Sequence, residues 1–379
     1  MVTLRFGEKF RLIAEKRIAG LFLAYLLWVA IGAIYSNYPD EALQFLTRKI
    51  PFAVWPILMS SVAYFTMKDS LRLVHAFVYA MLVAVLFSFS QSIYQYVLTG
   101  DDSYLYFSEL IYFKRVPPHY FGMYLSFAYG VVFYRLLRGK FLAGKKWLSL
   151  AAMILFFVAI IFSSVRMQYL VFGVLNMVLL FGFQSGISLR KRFMWGMGAL
   201  AGLALFALLL PGSRSRLVDT VNEVISFDKM VNNKQTNPRK FLWRQGWEVI
   251  KENLWLGTGT GAEDPALQEK LAETKALFWD GDSNFHITER GYNYHNVYLQ
   301  HWAAHGMVGL VILLAVLLVP FWLKSTPPEA RIFLLVCGLS FITESMLQRQ
   351  AGVLFFTFFY GLFFFLPHGH QRLQKQEAT

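Results

Sequence analysis

Long apolar runs alternate with short polar stretches along most of the chain. A run of about 18 residues or more is long enough to cross roughly 30 Å of hydrocarbon as an α-helix. The pattern predicts about ten spans; they cover residues 18–36, 48–67, 72–98, 118–138, 147–164, 167–184, 193–211, 293–322, 328–347 and 350–367. The alternating pattern of a transmembrane β-barrel is absent from the sequence. We therefore expect an all-α, polytopic helical membrane protein.

A long, more polar segment separates the seventh and eighth predicted spans. Within it, "PRKFLWRQGWEVIKENL" predicts a helix, with Asn237 as N-cap and Pro238 at the first helical position. Trp243 and Trp247 would share one face of that helix. We expect three parts: an N-terminal bundle of about seven spans at 1–211, a helical periplasmic loop domain at 212–292, and about three spans with a cytoplasmic tail at 293–379.

Composition and charge support the membrane class and give it an orientation. The chain of 379 residues is 56% hydrophobic and only 16% charged. Its net charge of +13 comes largely from Lys and Arg on one set of short loops, which is typical of cytoplasmic loops and makes nucleic-acid binding unnecessary as an explanation. The long loop then faces the periplasm, and both termini lie in the cytoplasm. One cysteine, Cys337, allows neither an intrachain disulfide nor a cysteine-based metal site.

Three histidines lie close together in "YHNVYLQHWAAHGMVGL". On a straight helix His295 would share a stripe with Gly306 and Gly309, whereas His301 and His305 would point elsewhere. The three side chains could not then meet at one metal ion, and no HExxH motif is present, so we predict no metal site. We interpret His301 and His305 as interfacial and the glycines as helix-packing residues. His295, at the outward start of its span, could accept a proton.

Two arginines lie at predicted outer boundaries of the membrane. Arg166 occupies a tight turn between two apolar runs, where a charge is costly unless it is paired or functional. The alternative is a side chain that extends to the membrane interface. Arg239 opens the predicted loop helix, and helix N-termini attract anions. The alternative there is an ordinary solvated helix charge.

Other candidates have weaker signals. Arg115 and His119, in "YFKRVPPHYFGMY", begin a span and could also be ordinary loop-end residues. Glu344 lies near the outer end of a span, where an intramembrane carboxylate is a functional candidate. An intrahelical pair with Arg349 explains it equally well. The glycines of "GTGTG", at 257–261, have the spacing of a phosphate-binding loop, but no strand precedes them, and we interpret them as a flexible turn.

Three motifs resemble those of the bacterial O-antigen ligase family. "HNVYLQHWAAHGMVG" is similar to the family pattern of His-Asn, nine residues and Gly-x-x-Gly. "PRKFLWRQGWEVIKENLWLGTGTG" resembles its Arg-x-x-x-Trp helix with a following glycine-rich turn, and "SSVRMQYLVFG" resembles its Ser-x-Arg turn. The motifs occur in the family's order around a large loop. The chain departs from the family in having about two fewer predicted spans, at its N-terminal end.

The resemblance implies a function. Family members are inner-membrane glycosyltransferases of the GT-C type that need neither metal nor cofactor. They transfer a glycan from undecaprenyl diphosphate to a sugar hydroxyl of lipid A–core on the periplasmic face. The implied partners are therefore this lipid-linked donor, the lipid A–core acceptor and membrane lipids. An O-antigen polymerase or a protein O-oligosaccharyltransferase would use the same donor, and a transporter would show midplane charges and inverted repeats, which the sequence lacks.

The resemblance also implies residue roles. His295 matches the proposed general base, and Asn296 matches the residue beside it. Arg166 and Arg239 match the arginines proposed to hold the diphosphate. Four further residues lie outside the motifs and are added as substrate-binding candidates from their position alone: Arg115, His119, Glu344 and Arg349.

Overall fold

The structure is a computed structural model, and it describes residues 17–61, 67–111, 116–182, 188–209, 214, 239–274, 277–279 and 284–366. Its main elements are the helices α1 (Arg17–Ile34), α2 (Pro39–Ser61), α3 (Met67–Thr99), α4 (Pro118–Leu137), α5 (Lys146–Phe162), α6 (Arg166–Met177), α7 (Leu189–Leu209), α8 (Arg239–Glu252), α9 (Glu263–Ala272), α10 (Val297–Trp322), α11 (Pro328–Ser340) and α12 (Gln350–Phe364). Shorter elements are the one-turn helix Phe107–Leu110, 3₁₀ turns at Asp102–Leu105, Leu142–Gly144, Ile287–Arg290 and Met346–Gln348, a π turn at Val178–Gly182, and strands β1 (Leu277–Trp279) and β2 (Asn284–His286).

Each apolar run corresponds to one helix, and α8 and α9 are helices of the polar segment. Each predicted span coincides with one of α1–α7 or α10–α12. Two stretches, Lys68–Thr99 in α3 and Val297–Trp322 in α10, are long and apolar enough to cross a membrane. Four other helices are apolar but shorter: Ile18–Ile34, Lys146–Phe162, Arg166–Gly182 and Gln350–Phe364. The structure therefore supports a mainly helical membrane protein, while the number of ten spans stays a prediction.

The chain divides into two compact units. The first contains Met1–Ser70, Asp228–Leu334 and Phe341–Thr379. The second contains Leu71–Phe227 and Leu335–Ser340. The predicted division into two membrane parts and a periplasmic loop domain follows the membrane boundaries instead and stays a prediction.

The second unit is built around α4, which packs on α5 and α6. A buried glutamine fixes this packing, because Gln168 Oε1 accepts a hydrogen bond from Ser126 Oγ at 2.7 Å and its Nε2 donates to Ser340 Oγ at 3.1 Å. Gly122 allows the approach, since a Cβ there would lie 2.6 Å from Gln168 Cγ. The turn between α5 and α6 is as tight as the sequence predicts, and Arg166 is the first residue of α6.

The first unit joins membrane helices to the polar loop segment. Helix α1 packs on α10, and α2 packs on α12. Helices α8 and α9 pack on each other and on α10. Their shared core includes Leu242, Ile250, Leu267 and Tyr294. Because a Cβ at Gly246 would lie 2.6 Å from the Tyr294 ring, this glycine lets α8 lie directly against the chain that enters α10.

A short β-hairpin follows α9. Its two strands are antiparallel, with Leu277 opposite His286. A 3₁₀ turn follows β2 and is capped reciprocally by His286 and Glu289. The loop segment thus contains helices, as predicted, together with a β element that the all-α prediction omitted.

Helix α10 is broken at Gly306, which the sequence did not predict. Gly306 has φ 65° and ψ −170°, a backbone conformation that interrupts the helix and is accessible to glycine at little cost. A Cβ at this position would lie 2.0 Å from the Trp255 carbonyl oxygen. Beyond the break, the Met307 N–H donates to the Leu254 carbonyl at 2.9 Å. The segment after α8 therefore inserts its backbone into the interruption of α10.

We call residues 253–261, which include the glycine-rich sequence, the clasp turn. It satisfies the carbonyls that the break leaves free: the Thr258 N–H donates to Ala303 at 2.8 Å, and the Gly259 N–H donates to Ala304 at 2.9 Å. The interpretation of these glycines as a flexible turn is therefore wrong. Glycine is needed here because another segment of backbone lies too close to leave room for a side chain. At Gly257, for example, a Cβ would lie 2.4 Å from the Ala304 carbonyl carbon.

The clasp turn also binds α1. The Thr260 N–H donates to the Gly32 carbonyl at 3.0 Å, and Thr260 Oγ1 donates to the Val29 carbonyl at 2.6 Å. Helix α1 also binds α10 directly, because Trp28 Nε1 donates to the His305 carbonyl at 2.9 Å. The clasp turn, α1 and α10 are thus held together by hydrogen bonds to backbone groups.

Candidate active site

His295 lies immediately before α10, which begins at Val297. Asn296 is the N-cap, and its Oδ1 accepts a hydrogen bond from the Leu299 N–H at 3.0 Å. His295 itself has φ 45°, in the left-handed region, and its N–H donates to Asn293 Oδ1 at 2.9 Å. Its predicted place at the start of the span is confirmed. The predicted helical stripe through His295 is wrong, because His295 is not part of the helix.

The His295 ring faces the carboxylate of Glu344. Its Nδ1 lies 3.0 Å from Glu344 Oε1 and 3.2 Å from Oε2. A carboxylate can only accept, so Nδ1 carries the proton in this contact, and the lone pair of the neutral ring lies on Nε2. The His295 side chain is 23% exposed and that of Glu344 is 12% exposed. The pair is thus partly shielded from solvent but still accessible.

Arg239 approaches the same carboxylate. Its Nη2 lies 3.7 Å from Glu344 Oε2. Arg239 is the first described residue of α8 and lies on the loop helix, whereas the predicted cap residues Asn237 and Pro238 lie outside the described residues. A histidine, a carboxylate and an arginine from three separate segments therefore share one place in the first unit.

Glu344 is positioned by the segment between α11 and α12. This segment pairs with the start of α10, because the Val297 N–H donates to the Phe341 carbonyl at 2.9 Å and the Asn296 N–H donates to Ser345 Oγ at 3.3 Å. Since α11 ends at Ser340, Glu344 is not helical, and the alternative of an intrahelical pair with Arg349 is wrong. The Arg349 side chain is exposed at the N-cap of α12.

A series of side-chain hydrogen bonds connects the His295 backbone to the start of α9. Asn293, which accepts from the His295 N–H, donates through Nδ2 to Gln348 Oε1. Gln348 Nε2 then donates to Asp264 Oδ2 at 2.5 Å. No sequence pattern marked these three residues, because each is an isolated polar position in a different segment.

Two adjacent acids begin α9: Glu263 is buried and Asp264 is half-buried. Glu263 Oε1 accepts a hydrogen bond from Gln300 Nε2 at 3.2 Å, while Oε2 is buried without a hydrogen-bond partner among the described residues. Burial raises the pKa of the Glu263 carboxyl, and the neighbouring charge of Asp264 raises it further. Burial also raises the pKa of Asp264, against the opposing effect of the hydrogen bond from Gln348. Sequence analysis missed both acids.

His301 and His305 are buried inside the first unit, so their interpretation as interfacial residues is wrong. His301 Nε2 lies 2.7 Å from Tyr25 Oη, and His305 Nε2 lies 3.0 Å from Thr260 Oγ1. The break in α10 and the insertion of the clasp turn create these surroundings. Among the residues that the structure describes, no group of three His, Cys, Asp or Glu side chains could hold a metal ion.

Arg166 and His119 belong to the second unit; Arg166 is half-buried, and the His119 ring packs edge-to-face on Phe107 with centroids 6.0 Å apart. Arg115 lies outside the described residues. The structure therefore brings together His295, Arg239 and Glu344, with Asn296 capping the adjacent helix.

Long apolar helices and a polar segment folded around a histidine–carboxylate pair define a helical membrane protein that carries a candidate catalytic site. Residues 150–314 match the family model described as O-antigen ligase, and this match, over somewhat less than half of the chain, supports membership of that family. The matched region contains Arg166, Arg239, His295 and Asn296. It supports an enzyme of the O-antigen ligase or polymerase type that acts on lipid-linked glycans. No curated protein matches the chain.

Proposed function

We propose that the chain is an O-antigen ligase. It would transfer a glycan from undecaprenyl diphosphate to a sugar hydroxyl of lipid A–core, at the periplasmic face of the bacterial inner membrane. The reaction would be a metal-independent, inverting transfer of the GT-C type. The observation that carries this proposal is the contact of His295 Nδ1 with the Glu344 carboxylate, beside Arg239 and within the motifs of the family.

His295 is suited to act as the general base. Because Nδ1–H donates to Glu344, Nε2 is left to accept the proton of the acceptor hydroxyl. The hydroxyl oxygen then attacks the anomeric carbon, and the bond from that carbon to the diphosphate oxygen breaks. The bonding electron pair leaves with the lipid diphosphate, and the proton stays on Nε2. The negative charge of Glu344 stabilises the resulting imidazolium and holds the ring in this tautomer.

Arg239 is suited to the leaving group. A guanidinium offers five N–H donors in a planar fork, which matches two diphosphate oxygens. The predicted N-terminus of α8, with Asn237 as N-cap, would add free N–H groups and the positive end of the helix dipole. Together they would stabilise the charge that develops on the diphosphate as the glycosidic bond breaks. The same role for Arg166 rests on its motif alone.

The other candidates receive smaller roles. Asn296 caps α10 and thereby fixes the backbone next to the base, so we assign it a positioning role. Arg115, His119 and Arg349 stay predictions from sequence position, and we assign none of them a step in the transfer.

The test is transfer by purified protein in detergent, with a polyprenyl diphosphate-linked glycan, core lipopolysaccharide as acceptor and excess chelator. Formation of glycan-extended lipopolysaccharide supports the proposal, and His295→Ala should lose the activity. A matched control is His286→Gln, because the His286 ring forms its hydrogen bonds with Thr274 and Thr288, near the hairpin, within the described part of the chain. Full activity of His295→Ala would rule out the assigned base.

The same assay separates the alternatives when each acceptor is offered in turn. A polymerase would lengthen a second lipid-linked glycan, and a protein O-oligosaccharyltransferase would modify a polypeptide hydroxyl. A transporter would form no glycosidic bond with any acceptor.

A further inference from the structure

The clasp turn contacts α10 several residues after its N-terminal end and does not lie beyond that end. Helix α10 has 26 residues, about 39 Å at 1.5 Å per residue, so a centred helix would extend only about 4–5 Å beyond roughly 30 Å of hydrocarbon at each end. The clasp turn hydrogen-bonds to Ala303, Ala304 and Met307. Ala303 and Ala304, which precede the break, lie about 9–11 Å along the axis from Val297, which places the contacts inside the hydrocarbon region.

Helix α1 gives an independent measure of the same depth. Thr260 binds the carbonyls of Val29 and Gly32, whereas α1 continues to Ile34. The contacts therefore lie about 3–8 Å before the end of α1. The end of α1 and the start of α10 face the same side of the membrane in the predicted topology, so both helices place the clasp turn within the outer leaflet.

The backbone of the clasp turn is suited to that depth. Four consecutive N–H groups, from Gly257 to Thr260, donate to carbonyls of Asn253, Ala303, Ala304 and Gly32. Non-helical backbone is tolerated in a bilayer only where protein satisfies its polar groups. This condition is met here by the break in α10 and by α1.

Two large apolar side chains of the clasp turn nevertheless point away from the protein. Trp255 is 67% exposed and Leu256 is 56% exposed. The Leu256 carbonyl accepts a hydrogen bond from Tyr35 Oη at 2.6 Å, at the outer end of α1. The adjoining helices also expose apolar side chains: Leu23, Leu27, Ile31 and Ile34 at helical spacing on α1, and Val308 and Val311 just after the break in α10. The exposed pair thus continues surfaces that face lipid if these helices span the membrane.

We propose that the clasp turn is a re-entrant membrane segment, and that Trp255 and Leu256 contact lipid acyl chains in the outer leaflet. Helix α8 ends at Glu252, directly before this segment. The anchor therefore holds the end of α8 at the membrane surface. This inference is independent of the proposed glycan transfer.

The test measures the depth of single probes in reconstituted vesicles. In a Cys337→Ala background, Leu256→Cys is labelled with an environment-sensitive fluorophore in detergent and reconstituted into phosphatidylcholine. Lipids with a nitroxide at acyl carbon 5 or 12 report membrane contact, and aqueous iodide reports exposure to water. Val311→Cys is the positive control, since Val311 is exposed on α10. Glu252→Cys is the matched aqueous control, four positions earlier.

We expect the Leu256 probe to be quenched at least twofold more by the shallow nitroxide lipid than the Glu252 probe, and to be protected from iodide. Iodide quenching equal to that of Glu252→Cys, without quenching by lipid, would overturn the proposal. A second measurement needs no cysteine variant of the turn. Quenching of tryptophan fluorescence by brominated lipid should fall in Trp255→Phe relative to the wild type, and equal quenching would also overturn it.

Discussion

His295 Nδ1 lies 3.0 Å from Glu344 Oε1, although 49 positions separate the two residues. The contact forms because the segment after α11 pairs with the start of α10 through Val297 and Asn296. A histidine oriented by a carboxylate is a recurring arrangement for activating a hydroxyl group. The relationship gives Glu344 a defined role that the family motifs do not assign.

Glu344→Gln should lower kcat while the protein stays folded. The amide oxygen can still accept from Nδ1, but it lacks the negative charge that stabilises the imidazolium. We expect a loss of about tenfold or more, smaller than the about 10²–10⁴-fold loss for His295→Ala. Steady-state transfer kinetics provide the measurement. Glu248→Gln, an exposed glutamate paired with Lys251 on α8, should leave kcat unchanged; wild-type kcat in Glu344→Gln would remove Glu344 from the mechanism.

Arg239→Lys should impair transfer although the charge is retained. Lysine keeps the positive charge but loses the fork that matches diphosphate oxygens. Hydrogen bonds to charged groups contribute about 1.5–3 kcal/mol each, so we expect kcat/KM for the donor to fall about ten- to a hundredfold. Arg244→Lys on the exposed face of the same helix is the matched control. Equal kinetics of the two lysine variants would contradict the role of Arg239.

Asn293→Ala should lower kcat with little change in the KM of the donor. The side chain holds the His295 backbone in its left-handed conformation and links it to Gln348, so its loss lets the base move. Small displacements of a catalytic group are costly, and we expect about a tenfold decrease. Asn293→Asp keeps the acceptor oxygen and should lose less activity than Asn293→Ala. A rise in KM alone would indicate a substrate-binding residue instead.

Glu263→Gln should make stability less sensitive to pH. Burial raises the pKa of Glu263 above the ordinary value of about 4 for a carboxyl. Below that value the residue is protonated in both the folded and the unfolded state. As pH rises, the unfolded chain ionises first, and the folded state of the wild type is destabilised; glutamine avoids this loss. The variant should therefore have a Tm near that of the wild type at pH 4–5 and a higher Tm at pH 8. The difference in Tm should be roughly 2–4 °C for each kcal/mol of unfolding free energy that the wild type loses.

Thermal unfolding in detergent, followed by intrinsic fluorescence from pH 4 to pH 8, measures this effect. Glu248→Gln, which removes an exposed carboxylate, is the control and should follow the wild type at every pH. A Tm difference for Glu263→Gln that is constant with pH, or that grows as pH falls, would contradict the prediction.

Gly306→Ala should prevent stable folding. The residue has a positive φ, and a Cβ would collide with the Trp255 carbonyl of the clasp turn. Backbone displacement there would break several hydrogen bonds at once, so we expect a loss of more than about 3 kcal/mol. Gly20→Ala is the control, because a Cβ on α1 at Gly20 meets no atom within 4 Å. Yield of the monodisperse protein and its Tm distinguish the two, and similar behaviour would contradict the clasp arrangement.

The positions of the helices could be predicted because they depend on local composition. Each apolar run of about membrane length became one helix, and Arg239 lies on α8 as expected. The break in α10 could not be predicted in the same way. A glycine in an apolar run is also typical of close helix packing, and the conformation of Gly306 depends on the Trp255 backbone, which arrives from a distant part of the chain.

The candidate site was only partly visible in the sequence. The motifs identified His295 and Arg239, and membrane position singled out Glu344 but left Arg349 open as its partner. Asn293, Gln348 and Asp264 had no signal, because no spacing rule joins three single polar residues in separate segments. His301 and His305 were misplaced because helical phase was applied to a straight helix, whereas the real helix is interrupted and enclosed by the clasp turn.

The break at Gly306 also explains why the motif has a fixed length. His295 is held at one end by Glu344, and Gly306 is held at the other by the clasp turn. Between them, Asn296 and the nine residues that follow it set the distance and the rotation between His295 and the anchored backbone. Inserting or deleting one residue would rotate one end by about 100° relative to the other. Chains that share this site should therefore tolerate substitutions within the interval far better than any change in its length.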